Sequence, residues 1–222
     1  MKLRKTIRKL YTYALPTAYR IKLEKAFLRP YPDVFDKRRF IFIHIPKTGG
    51  KSIGSLIGTN IAYHLQLTDY EAILGKEKIQ KYCVFTIVRN PEERFLSAWR
   101  YILNGGNGSK EDEQLKKYVT SLSDSASNFA IHHLHTQEFA QHLFFRPQSV
   151  FLYWSDGSFC DDIIVCKLES LDHDINSLPI SELKNRKLPH LNRTSRNNES
   201  ICTEAKEAIR EIYKNDYEIF NY

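Results

Sequence analysis

Phe40-Ile41-Phe42-Ile43-His44-Ile45-Pro46-Lys47-Thr48-Gly49-Gly50-Lys51-Ser52-Ile53-Gly54-Ser55 is the stretch from which the fold of this 222-residue chain is read. Phe40 to Ile45 is an apolar run rich in β-branched and aromatic residues, and Pro46 closes it. It is too short to cross a membrane, so it predicts a buried strand of a parallel sheet. Gly49 and Gly50 carry no Cβ, which lets the chain turn sharply and bring backbone N–H groups to an oxyanion. Lys51, Ser52 and Ile53 then open a helix whose unpaired N–H groups and positive dipole end point into the same space. Lys47 and Ser52 add a charge and a hydroxyl. Strand, loop and helix together predict a phosphate cradle, running to about Ile57 with Gly58 as its stop.

A second segment has the same grammar. Val84 to Val88 predicts another buried strand, followed by a helix with Asn90 as N-cap, Pro91 at its first position and Glu93 at its third. Arg89 then stands at the carboxyl end of a strand and Ser97 two turns into the helix, on the edge where open parallel sheets bind ligands. Arg94 is expected to face elsewhere and brace the helix with glutamates.

Between the two segments, Ile61 to Leu65 predicts a short strand carrying His64, and a helix follows with Thr68 or Asp69 as cap. Residues 104 to 128 read as loop, helix and loop. Ser149 to Trp154 and Asp162 to Lys167 predict two more strands joined by a turn at Asp156-Gly157. Ile201, Ala205, Ala208 and Ile212 mark the buried face of a final helix. His132, His133, His135 and His142 lack the His-Glu-x-x-His pattern of a zinc site and read as surface or packing residues. No metal ligand set is expected.

Bulk properties set limits. The length suits one domain with an appendage, and 42% hydrophobic with 27% charged residues is ordinary for a globular protein. Cys83, Cys160, Cys166 and Cys202 lack paired metal spacing and predict buried reduced thiols. The net charge of +7 is uneven: residues 1–39 hold twelve Lys or Arg against three Asp or Glu, a balance of +9, which leaves −2 for 40–222. A nearly neutral body argues against nucleic acid as a partner. The basic arm 1–39 begins with an amphipathic helical pattern, Met1 to Leu15, that suits peripheral contact with an anionic membrane surface. With no apolar stretch of about 20 residues and no signal-peptide core, a cytoplasmic location is expected, with the inner membrane surface as the site of any such contact.

The loop from His44 to Ser52 closely resembles the 5′-phosphosulfate loop of sulfotransferases that use 3′-phosphoadenylyl sulfate (PAPS), in the carbohydrate branch typified by heparan and chondroitin enzymes. Val88-Arg89-Asn90-Pro91 with Arg94, Ser97 and Trp99 resembles that family's 3′-phosphate motif, and Tyr213, Asp216, Phe220 and Tyr222 resemble its tail. Phe144-Phe145-Arg146-Pro147-Gln148 is similar to a further stretch, with Phe144 at the usual histidine position.

The resemblance covers residues 40–222 and implies an α/β, P-loop-like three-layer fold whose central, mainly parallel sheet is flanked by helices. It implies that Lys47, Thr48, Gly49, Gly50, Lys51 and Ser52 hold the 5′-phosphosulfate, that Arg89 and Ser97 hold the 3′-phosphate, and that Arg193 and Thr194 contact the cofactor from a closing loop. Lys47 and His64 are the candidate catalytic residues, the second as base, and the implied acceptor is a sugar or glycan hydroxyl.

Two other readings stand beside it. A P-loop kinase or nucleotide hydrolase would bind ATP or GTP with magnesium; Gly50-Lys51-Ser52 fits the end of its motif, but Ile45 stands where the first glycine belongs. A non-enzymatic basic adaptor would bind membranes or polyanions through residues 1–39 and would not need the glycine loop.

Overall fold

Among the described residues, three strands, β1 (Phe40–Ile43), β2 (Cys83–Val88) and β3 (Ile164–Lys167), form one parallel sheet with β2 in the middle. The register pairs Phe40 with Cys83 and Phe85 with Ile164. All of β1 and nearly all of β2 is buried, as expected for strands covered on both faces. The computed structural model describes residues 33–57, 64–184 and 200–222. The amphipathic stretch Met1–Leu15, Gly58, the start of the strand expected at Ile61, and the loop holding Arg193 and Thr194 lie outside the described residues.

Helices flank this sheet. Before it comes α1 (Asp33–Arg38), whose Phe35 is buried against Phe40, ring centroids 5.1 Å apart. After β1 comes α2 (Gly50–Leu56), then α3 (Leu67–Leu74) and α4 (Lys76–Ile79). After β2 comes α5 (Pro91–Leu103), capped by Asn90 Oδ1, which accepts from Glu93 N at 3.2 Å. A Pro at the first position and glutamates in the first turn complete the expected start. Next come α6 (Lys110–Leu122), α7 (Ala126–His132) and α8 (Gln137–Ala140). After β3 comes α9 (Leu171–Ser177), and the chain closes with α10 (Thr203–Ile212) and α11 (Lys214–Phe220). No helix among the described residues is long and apolar enough to cross a membrane.

Two apolar cores result. One surrounds the sheet; the other is aromatic, built by Phe95, Trp99, Phe129, Phe139, Phe145 and Tyr213. Helix α5 joins them. Its Arg94 turns toward the sheet's loop while Phe95, Trp99 and Ile102 enter the aromatic core. Each buried aromatic side chain contributes about 1.5–3 kcal/mol relative to exposure. His133 packs on Phe129, and His142 on Phe144 and Phe145.

Four local expectations are corrected. Ser149–Leu152 is a turn of 3-10 helix, not a strand, because the Asp216 carboxylate takes the N–H groups of Gln148 and Ser149 at 2.7 and 2.8 Å. Beyond it Tyr153 and Phe159 form an isolated antiparallel bridge across the Gly157 turn. His64 and Leu65 are irregular chain, and the cap of α3 is Gln66, whose N–H donates to Asp69 at 2.9 Å in a reciprocal box. Cys202 is exposed, whereas Cys160 and Cys166 are buried and Cys83 is half-buried; all four are free thiols. Arg94 is taken up below.

Candidate active site

The carboxyl ends of the three strands lie side by side, and each opens into a segment that carries function-type residues. From β1 comes the turn 44–49, from β2 comes Arg89, and from β3 come Leu168 and Glu169. These ends interlock. Glu169 accepts Asn90 N–H at 2.8 Å and the Tyr222 hydroxyl at 2.8 Å, and a Cβ on Gly49 would lie 2.8 Å from Leu168 Cδ1.

The turn needs two left-handed residues, Lys47 (φ 70°) and Gly49 (φ 85°). Glycine takes that region freely, but a lysine there costs about 1–2 kcal/mol. The glycines have separate duties. Gly49 supplies the dihedral, whereas Gly50 makes room, since a Cβ there would overlap the His44 ring. Thr48 is buried and donates to Ile45 O at 2.8 Å, closing the turn from inside. Ser52 N–H donates to Gly49 O at 3.0 Å, and its side chain is largely buried in the first turn of α2. Lys51 adds its backbone to that turn, and its side chain is not among the described ones.

Arg94 is where sequence reasoning missed most. It is fully buried, its Nε donates to Pro46 O at 3.1 Å, and its Nη2 has no hydrogen-bond partner among the described residues. Burial lowers its pKa, opposed by Tyr213 and Asp216 nearby, but a guanidinium keeps its proton regardless. A buried cation with an open donor behind the loop makes this edge electropositive and suits it to an anionic ligand. Nothing in the amphipathic pattern of α5 distinguishes Arg94 from a surface arginine.

His64 sits beside the same turn. Its Nδ1 lies 3.0 Å from His44 O, and the two imidazoles pack with centroids 4.3 Å apart. A carbonyl only accepts, so Nδ1 carries the hydrogen and Nε2 keeps a lone pair. Desolvation lowers the pKa of His64; the bond to His44 opposes this, and the charges of Arg94 and Lys47 lower it further. The imidazole is therefore neutral across the physiological range. His64 and Lys47 lie at the same edge of the sheet, near enough for the lysine charge to act on the imidazole.

Arg89 is gripped through its backbone. Its N–H donates to Gln148 Oε1 at 2.9 Å and its C=O accepts from Gln148 Nε2 at 2.8 Å, while its guanidinium meets Glu93 at 3.1 Å. Burial lowers its pKa, opposed by Glu93 and Glu169. Ser97 lies on α5, one turn beyond Glu93 and half-buried, so it shares the helix face of the glutamate that meets Arg89. Gln148 is held in turn by Asp216, and the Tyr213 hydroxyl donates to Phe145 O at 2.6 Å. Through Phe145 and Gln148 the tail is thus tied to the segment bearing Arg89. An open cleft of ≈ 440 Å³ lined by Thr120, Ser123, Asp124, Asn128 and His132 includes none of these residues and lies apart from this chemistry.

Comparison with curated proteins and with solved structures finds no match. The sulfotransferase family matches residues 32–222, which spans the glycine turn after β1, the Arg89 segment after β2, the three strands described and the tail. By that match, over an α/β body with a parallel sheet and an electropositive carboxyl edge, the chain belongs to the sulfotransferase family.

Proposed function

We propose that this protein transfers a sulfuryl group from PAPS to a hydroxyl of a carbohydrate acceptor. Family membership makes it a transferase of sulfuryl groups that takes an acceptor substrate. The donor and the kind of acceptor are our reading, and one observation carries it: Lys47, His64 with a proton-accepting Nε2, and Arg89 lie at one sheet edge behind which a cation is buried. These residues fit a nucleotide that carries anionic groups at both its 5′ and its 3′ positions.

Bound PAPS would supply an activated sulfuryl group on a phosphate leaving group. Thr48, Gly49, Gly50, Lys51 and Ser52 would hold the 5′ end, Arg89 and Ser97 would hold the 3′-phosphate, and Arg193 and Thr194 would add contacts to the nucleotide. Lys47 offers positive charge to the leaving oxygen, where preorganised charge lowers the barrier. His64 Nε2 would take the proton of the acceptor hydroxyl as that oxygen bonds to sulfur and the bond from sulfur to the 5′-phosphate oxygen breaks, with 3′,5′-bisphosphoadenosine as the leaving group. Lysine and backbone dipoles neutralise the charge that builds up, so the scheme calls for no metal.

The deciding experiment is thermal. A ligand that binds only the folded state raises the melting temperature according to its affinity. We expect 3′,5′-bisphosphoadenosine to raise Tm more than AMP or ATP with magnesium, and Arg89→Ala to abolish most of that preference, because an arginine–phosphate contact is a strong charge-assisted pair. A larger shift with ATP and magnesium would replace this reading by a kinase or nucleotide hydrolase.

The basic residues 1–39 are proposed to attach a cytoplasmic enzyme peripherally to anionic membrane. Deleting residues 1–30 is expected to reduce binding to phosphatidylserine vesicles while leaving nucleotide binding unchanged, with vesicle binding of the full chain weakening as salt rises. Equal vesicle binding by the two proteins would remove the attachment.

A further inference from the structure

Lys47 carries its ammonium on a long, rotatable stem, and a group that must act at one oxygen gains from being held. The Lys47 Nζ lies 4.0 Å from the centroid of the Tyr101 ring. Such a placement over an aromatic face is attractive through the ring quadrupole. Tyr101 is in turn fixed: its ring meets Phe144 edge-on at 5.0 Å, and its hydroxyl interacts with Asn107. Asn107 N–H is tied to Asp112 at 2.9 Å. The ring therefore stands on a braced support of α5, the loop 104–109 and Phe144.

The backbone of the same lysine is held by the same helix. Arg94, seven residues before Tyr101 and so on the same face of α5, grips the Pro46 carbonyl that precedes Lys47. One face of α5 thus controls the lysine at both its main chain and its charged tip.

We infer that Tyr101 is a positioning residue for Lys47, its ring holding the ammonium at the carboxyl edge of the sheet where the sulfuryl donor is to bind. The inference rests on the reading that Lys47 acts in sulfuryl transfer. It assigns a task to a tyrosine that neither phosphate motif includes. It also gives a reason for Phe144 in the similar stretch, since the phenyl ring backs Tyr101.

The test has two arms. In the first, the lysines are reductively methylated with ¹³C, which keeps their charge, and spectra are recorded without nucleotide; the Lys47 signal is the one missing from Lys47→Arg. Ring current should shift that signal upfield in the parent and in Tyr101→Phe, and Tyr101→Leu should return it to the position of exposed lysines. In the second arm, Tyr101→Leu should lower kcat about tenfold, within the range of such contacts, with little change in KM for PAPS. Tyr101→Phe should restore most of the rate. In a Lys47→Ala background, Tyr101→Leu should cost almost nothing more, because residues that act together are not additive. An unshifted Lys47 signal in the parent, or an equal loss from Tyr101→Leu in both backgrounds, would overturn the assignment. A parent that neither binds bisphosphoadenosine nor turns over PAPS would instead overturn the proposed function, and the first arm would still decide whether Tyr101 holds Lys47.

Discussion

His64→Ala is expected to lower turnover by a factor on the order of 10² or more while binding 3′,5′-bisphosphoadenosine nearly as well as the parent. A base acts in the transition state and adds little to ground-state affinity for the nucleotide. Lys47→Ala should differ by weakening both, because its charge meets the donor before and during transfer. The pH profile offers an independent check. Desolvation first, and then the neighbouring charges of Arg94 and Lys47, place the His64 pKa below the ordinary histidine value near 6.5. The required neutral form therefore persists to lower pH, and the acid limb of kcat should fall below pH 6.5.

Stability follows the same direction. His142 is also lowered, by desolvation and then by Arg146. Below pH about 6.5 the unfolded chain takes up protons at both histidines that the folded state still refuses, so stability is lost as pH falls through that region and is complete above it. Stopped assays across pH 5–8, with folding monitored by circular dichroism, separate the loss of base from the loss of fold. A folded, nucleotide-saturated His64→Ala protein as active as the parent would exclude His64 as the base.

Asp216→Ala should have the largest effect on stability, about 3–5 kcal/mol. Asp216 is fully buried and accepts the N–H groups of Gln148 and Ser149 at 2.7 and 2.8 Å. Alanine leaves both donors buried without acceptors and removes the negative charge that opposes the desolvation of Arg94. Asp216→Asn keeps one acceptor oxygen and should cost less, about 1–2 kcal/mol. Urea unfolding should show a lower midpoint with an unchanged slope. Since Gln148 holds Arg89 through two hydrogen bonds, the folded fraction of Asp216→Ala should also bind bisphosphoadenosine more weakly. A midpoint within experimental error of the parent would show that water or another group satisfies these donors.

Much of the fold is legible from local patterns. Phe40–Ile43 and Cys83–Val88 are apolar runs bounded by breakers, and the Asn90-Pro91-Glu93 start of α5 has its signals within four residues. A cap or turn depends on neighbours in sequence, so the sequence displays it. The strand expected at Ser149–Trp154 fails for the opposite reason. Its composition permits a strand, but Asp216, which claims its backbone N–H groups, lies 67 residues away from Ser149.

What the sequence determined by itself is the chemistry available at each position: a glycine turn after a buried strand, an arginine at the end of another, and a resemblance specific enough to name a family. Tertiary structure alone decided which of these groups act together. It drew Arg94 from an apparent surface row into the interior against Pro46 O, gave Gly50 the task of clearing the His44 ring, and laid Lys47 on Tyr101. The physical reason is that a hydrogen bond, a buried charge or a ring contact depends on distance in space and on desolvation, and neither is encoded by the spacing of residues along one chain.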